Sequence, residues 1–170
     1  WSSDVCSSDL PMATDLRTIV AAVKINTDLE RVGDLAVNIA EAAKRYAAHA
    51  PVKKLIDIPV MGDIAQAMLR DALDAYVRRD VALAQHVLNE DDRVDGLKTQ
   101  VFRELLTYML QDPRTVEPSL DLILVSRHIE RIGDHATNVA EDVIFMVSAL
   151  DVRHHGPSTD KSDKIVTPKD

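Results

Sequence analysis

Residues 30–41 read ERVGDLAVNIAE and residues 130–141 read ERIGDHATNVAE. At this offset of 100 residues eight of twelve positions are identical, and two of the four differences exchange Val and Ile. A duplicated segment limits the fold more than composition does, because both copies must occupy the same kind of structural unit. Neither copy contains Pro, and the side chains sort cleanly on a helix turning about 100° per residue. Glu30, Asp34, Asn38 and Glu41 share one face about 80° wide, with Arg31 at its edge. Leu29, Val32, Ala36 and Ile39 take a separate face. The second copy repeats the arrangement with Glu130, Asp134, Asn138 and Glu141 opposite Ile129, Ile132, Ala136 and Val139, and with Arg131 in the place of Arg31.

The prolines divide the remainder. The runs from Pro11 to Pro51, Val60 to Asp112 and Pro118 to Pro157 are free of Pro, and Pro is excluded from helix interiors. The spacing predicts a helix over 13–48, a helix over 61–79, a break at Arg78-Arg79-Asp80 with Asp80 as the next cap, and a helix over 80–111. A fourth runs over 113–150, opening on an irregular turn before Pro118. Thr14 or Asp15 is the expected cap of the first helix. With 46% hydrophobic but only 4% aromatic residues, and 5 Gly and 7 Pro in 170, the chain lacks the turns and aromatic strands of a sandwich or barrel. The expected fold class is all-α: long antiparallel helices in a bundle about 45–55 Å long.

The duplication is asymmetric. Two helices over 61–111 precede the second copy and none precede the first, so by symmetry two helices are expected ahead of Met12. Residues 1–10, WSSDVCSSDL, hold the chain's single Trp and single Cys, and are read as a non-native segment at that break. Residues 11–50 are then the last helix of an incomplete first unit and 51–150 a complete three-helix unit. The polar stretch 151–170 is expected to be a disordered tail. The helix over 13–48, lacking partners of its own, is expected to lean on the intact bundle or on another chain, as in a homodimer.

A single Cys leaves no disulfide framework and no thiolate zinc site, and fits a cytoplasmic setting. No stretch is long and apolar enough to span a bilayer, and residues 1–10 lack the basic start and apolar core of a signal peptide. With 28 acidic against 20 basic residues the formal charge is −8, which argues against a nucleic-acid partner. There is no P-loop, no dinucleotide fingerprint, no nucleophile elbow and no Glu-x-x-His. The expectation is a protein that is not an enzyme.

The acidic rows carry what chemistry there is. Upstream they continue as Leu16, Val20 and Val23 and as Val116, Leu120 and Ile123, so they extend a packing face rather than a solvated one. Glu30 and Asp34, like Glu130 and Asp134, are like charges one turn apart, which is unfavourable on an isolated helix. Two readings follow. The rows are oxygen-rich sites for iron, manganese, zinc or magnesium, or a recognition surface for a basic partner. Alternatively they are salt-bridged layers in which Arg31 pairs with Asp34 and Arg131 with Asp134. Gly33 and Gly133, unfavourable in a helix, point to close approach by a neighbour. Asp91 and Asp95, one turn apart on the helix over 80–111, either face the Glu130 row or are solvated. His128 and His135 flank the second motif, and His135 is a further candidate ligand. Met61, Met68, Met109 and Met146 are core filler.

The repeated ER-[VI]-GD-x-A-x-N-[VI]-AE resembles the PhoU family, regulators of bacterial phosphate uptake. The resemblance extends over residues 11–150, through MATDLRTIVAAVKINTDLERVGD and the segment from Asn89 to Asp142. It implies PhoU-like tandem three-helix bundles, here with the first two helices absent. It also implies a cytoplasmic, non-enzymatic negative regulator joining the phosphate ABC transporter, through its ATPase subunit, to a sensor histidine kinase. Such a protein keeps the phosphate-starvation response off when phosphate is adequate. Some members bind multi-metal clusters through acidic helix motifs, which makes the two rows the candidate metal positions. A carboxylate-rich bundle with a metalloenzyme or metal-storage role is the alternative.

Overall fold

A computed structural model describes residues 13–148. The non-native segment and the disordered tail expected at the two ends lie outside the described residues. Four α-helices and one short 3₁₀ turn make up the structure, with no strand among the described residues: α1 (Ala13–Tyr46), α2 (Asp57–Arg78), α3 (Val81–Gln111), the 3₁₀ turn (Pro113–Thr115) and α4 (Val116–Ser148). At 34 residues, α1 is about 51 Å long. No helix of the described residues is long and apolar enough to cross a membrane.

The boundaries show how local chemistry sets them. Asp80 caps α3 by accepting a hydrogen bond from the Leu83 amide at 3.0 Å. The residue before it, Arg79, ends α2 in a left-handed conformation with φ 56°, so the expected break falls where it was read. Two prolines beside the expected helix starts lie inside helices. Pro59 lies in the first turn of α2, which therefore starts at Asp57 rather than 61, and Pro118 lies in the first turn of α4. A first-turn amide has no intrahelical acceptor, so Pro removes nothing there. The irregular turn before Pro118 is the 3₁₀ turn, which Asp112 caps through the Arg114 amide. The Arg114 guanidinium beside Asp112 holds that carboxyl below the usual range. Asp15 sits inside the first turn of α1 rather than at its cap.

Buried residues on α2 recur at Met61, Ala65, Met68, Ala72 and Ala75, and on α3 at Ala84, Val87, Val94, Val101 and Leu105. These intervals of three, four, or their sum of seven are the seam of a left-handed helix pair. They close on α4 through Leu122, Ile129, Ala136, Ala140 and Val143, forming one apolar core. Lys53 in the preceding loop is tied to Asp57 and Glu104. Burial works against its ammonium, but the bonds to the two carboxylates outweigh it and raise its pKa.

Among the described residues α1 packs on α4 alone. Lys24 meets Asp142, Asp28 meets His135, and Arg45 meets Asp121, so the two helices are antiparallel. Given the repeat's offset of 100, this register brings Gly33 and Gly133 to the same level. The two copies are thus related by an approximate two-fold axis there. The burial pattern agrees: Ala21, Ile25, Leu35 and Ala42 on α1 are the equivalents of Asp121, Val125, His135 and Asp142 on α4. The apolar row of each copy divides by this register. Ile132 and Val139 fall on the α1 side of α4, and Ile129 and Ala136 on the side of α2 and α3. On α1 the equivalents of that second stripe have no covering helices among the described residues, and Leu16, Ile19, Val20, Val23 and Leu29 are exposed.

Candidate functional site: an acidic groove between α3 and α4

The seam of α3 contains two polar residues. Between the buried Val87, Val94, Val101 and Leu105, the same spacing selects position 91 and position 98, which are Asp91 and Lys98. Their backbones are placed by the apolar neighbours, and their heads reach the edge of the core. Asp91 approaches Gly133: a Cβ built on that glycine would lie 3.7 Å from Asp91 Oδ1 and 3.7 Å from Met68 Cε. That is ordinary contact, so the close approach expected at the glycines is mild at Gly133. A Cβ built on Gly33 would meet no neighbouring helix within 4 Å among the described residues.

Four carboxylates gather here: Asp91 and Asp95 from α3, Glu130 and Asp134 from α4. Burial pushes the Asp91 carboxyl up, and the charges of Asp134, Asp95, Asp92 and Glu130 add to the shift. Asp134 is raised in the same way, by burial first and then by Glu130 and Asp95. Lys98 supplies the opposing charge, donating to Glu130 at 2.7 Å and to Asp95 at 2.9 Å. Those bonds raise the Lys98 pKa. The ion pairs of this layer therefore run from Lys98, a residue the motif reading missed, and not from Arg131. Its position in the α3 seam was the available signal.

The sequence candidates divide. The α4 row comes together with the α3 acids at Glu130 and Asp134, while Asn138 and Glu141 continue along α4, half-buried. Arg131 is exposed. The α1 row does not join them: Glu30, Asp34, Asn38, Glu41 and Arg31 are all exposed on α1, and no α1 carboxylate is among the charges that shift Asp91 or Asp134. His135 is committed elsewhere, with Nδ1 2.8 Å from Asp28 Oδ1 in the α1–α4 seam. His128 Nδ1 is buried with no hydrogen-bond partner among the described residues. Burial, with Arg131 and Arg127 nearby, lowers its pKa. Among the described residues no group of three or more His, Cys, Asp or Glu side chains is arranged to hold a metal ion.

Beside the acids, α3 and α4 leave a groove of about 470 Å³ whose lining includes Thr99, Phe102, Ile123, Arg127 and Glu130. Phe102 is 49% exposed. The groove is open, with apolar contact from Phe102 and Ile123 and charged groups of both signs, Lys98, Arg127 and Glu130, along its wall.

The chain matches the family model described as "PhoU domain" over residues 4–43 and 58–143. It is 44% identical over 151 residues to a "Phosphate-specific transport system accessory protein PhoU homolog" of Caulobacter vibrioides, covering 88% of this chain and 66% of that relative. A relative of the same name from Rhizobium meliloti is 38% identical over 156 residues, covering 91% of this chain and 66% of the relative. The chain thus spans just under two thirds of the length of these relatives. The crystal structure of PhoU from Pseudomonas aeruginosa superposes with a TM-score of 0.79 at 40% identity, over 82% of this chain and 68% of that one. In duplicated motif, helical architecture and match to the family model, the chain belongs to the PhoU domain family.

Proposed function

We propose that this chain is a cytoplasmic negative regulator of phosphate uptake and of phosphate-starvation signalling, acting by binding and not by bond-making chemistry. Its partners are the ATPase subunit of the phosphate ABC transporter and a sensor histidine kinase. The reading is supported by the relatives, which are named as accessory proteins of a phosphate-specific transport system. The observation that carries it is the carboxylate cluster Asp91, Asp95, Glu130 and Asp134 beside an open apolar groove, with Lys98 as its paired cation. A surface of this kind attracts basic protein faces and speeds their encounter. The exposed Leu16, Val20 and Val23 of α1 support a homodimer as the acting form.

The test is a bacterium lacking its own copy of the regulator and carrying a reporter of the starvation response. Supplying this chain at adequate phosphate is expected to silence the reporter, and the purified ATPase subunit is expected to be retained on the immobilised chain. A reporter that stays on, with no retention, overturns the reading.

A second reading is a metal-binding role with iron, zinc, manganese or magnesium. The raised carboxyls at Asp91 and Asp134 favour a cation nearby. The donors as placed do not fit a preformed metal site, since they do not converge and Glu130 is already bonded to Lys98. Metal analysis of the purified chain tests it: stoichiometric metal that survives dialysis supports the role, and none overturns it.

A further inference from the structure

We propose that the outer face of the α3–α4 hairpin is a self-association surface, occupied by the same face of a second copy of this chain. Two apolar rows run side by side there: Phe102, Leu106 and Leu110 on α3, and Val116, Leu120 and Leu124 on α4, all exposed and Leu110 as much as 79% so. Each row steps by four residues, so its members stand one above another on one side of their helix. Phe102 of α3 and Ile123 and Arg127 of α4 line the same open groove, which puts the two rows on one side of the helix pair. Exposed large apolar side chains occur singly on any protein, but six along two packed helices make a patch of roughly 500 Å², large for a monomer. Two copies covering this patch with each other remove about 1,000 Å² from these side chains alone, the area at which a specific interface begins.

That the occupant is a second copy follows from self-complementarity. The Lys98–Glu130 ion pair fixes the register of α3 on α4. Followed equally along both helices toward the hairpin's closed end, that register brings positions 106 and 122 to one level. Two copies packed face to face with their α3 helices antiparallel have a two-fold axis at that level. Phe102 then meets Leu110 of the second copy, Leu106 meets its own counterpart, and Leu120 meets Leu124. The same inversion brings Arg127 level with the second copy's Glu117, once on each side of the axis. Among the described residues Arg127 makes no ion pair, and Glu117, with a side chain 80% exposed, has only His49 at 3.9 Å. Lys98 and Arg114 also come level, but each is already held by a carboxylate, Glu130 and Asp112. One register thus satisfies the apolar rows and the two charges together. The proposal deepens the regulatory reading, on which it rests only for making the dimer the acting form, and its seat is separate from the exposed Leu16, Val20 and Val23 of α1.

Sedimentation of the full chain across a wide concentration range reads the association. The parent is expected to form a dimer. Leu106→Glu sets two like charges against each other on the axis and is expected to give a monomer. Arg127→Glu and Glu117→Arg are each expected to weaken the dimer roughly tenfold. Combining the two restores opposite charges across the interface and is expected to recover most of the parent's affinity, a rescue that loss of folding could not produce. Val23→Glu, on α1, is expected to leave the dimer intact. A parent that is monomeric at every concentration overturns the face. So does a dimer that survives Leu106→Glu, whether or not Val23→Glu removes it, and so does a double charge exchange no stronger than its single variants. The reporter of the starvation response separates this from the regulatory reading: a dimer with these properties that fails to silence defeats that reading and leaves the face, and a monomeric parent that silences defeats the face and leaves the reading.

Discussion

The α4 helix is gripped on two sides by different physics. On one side α2 and α3 meet it through Met61, Met68, Val87, Val101, Leu105 and Val143, all 1% exposed or less. On the other side α1 meets it through a sparser apolar set and charges: Ala21, Ile25, Leu35 and Ala42 beside Lys24–Asp142, Asp28–His135 and Arg45–Asp121. The first interface stabilises by removing apolar surface from water. The second buries Asp142 and Asp121 to 2% and 6% exposure, and such pairs contribute little net stability because desolvation offsets their attraction. What they contribute is selectivity. Under the approximate two-fold, pairing α1 with a second α1 would set Lys24 against Ala42 and Arg45 against Ala21, leaving cations at the seam without acids. The sequence of α1 is thus matched to α4 in this register and not to a second α1.

The largest expected effect separates the two interfaces with one kind of substitution. Leu105→Ala empties a fully buried site in the core and is expected to cost about 3–5 kcal/mol, lowering the denaturant midpoint of the whole molecule. Leu35→Ala, at a leucine 4% exposed in the seam, is expected to cost about 2–3 kcal/mol, because one helix neighbour leaves the site free to collapse. Its effect should be local, read by hydrogen exchange as faster opening of α1 with α2 unchanged. Equal costs, or global loosening from Leu35→Ala, would erase the distinction.

A smaller effect sharpens it through charge. Lys24→Ala removes a cation from the nearly inaccessible Asp142. Lys24 itself is 43% exposed, so the expected cost is only about 1 kcal/mol after screening by solvent. Raising salt toward about 1 M should mimic part of it. Amides of α1 are expected to exchange faster, while those around Met68 keep their rates. If both sets of amides respond equally to salt, the seam is not held by charge.

The core was legible in the sequence because apolar periodicity and punctuation agree: Asp80 as a cap, Arg79 at the break between α2 and α3, and prolines near the junctions on either side of that pair. Pro59 and Pro118 misled because a first helical turn tolerates Pro as well as a loop does. The seam was less legible. Its pairs join residues 76 to 118 positions apart, and only the register of two long helices brings them together. His135 shows the difficulty: beside a motif it reads as a ligand, and only the position of Asp28 makes it a seam residue. The acidic site lay between these cases. Duplication marked Glu130 and Asp134, but the spacing that ties Asp91 and Lys98 to the α3 seam is visible only when polar residues are allowed on an apolar stripe.

The smallest expected effect concerns that site and sets it apart from both interfaces. Asp91 has a folded-state pKa raised by burial and by neighbouring carboxylates, so protonation favours the folded state. Its favourable contribution is complete below the ordinary carboxylate pKa and is lost as pH rises through the raised value. At neutral pH the ionised group is therefore a net cost to folding. Asp91→Asn holds the position neutral at every pH and is expected to stabilise the chain at pH 7 by about 0.5 kcal/mol, a figure kept small because the carboxyl is only partly buried. The advantage should shrink as pH falls through the acidic range, where the parent's own carboxyl takes up its proton. Thermal unfolding of parent and variant from about pH 7 to about pH 4 measures this: a gap in melting temperature that narrows on acidification fits a strained carboxylate cluster. A gap that stays constant would mean that Asp91 acts by packing against Gly133 and Met68, and the site would then belong with the core.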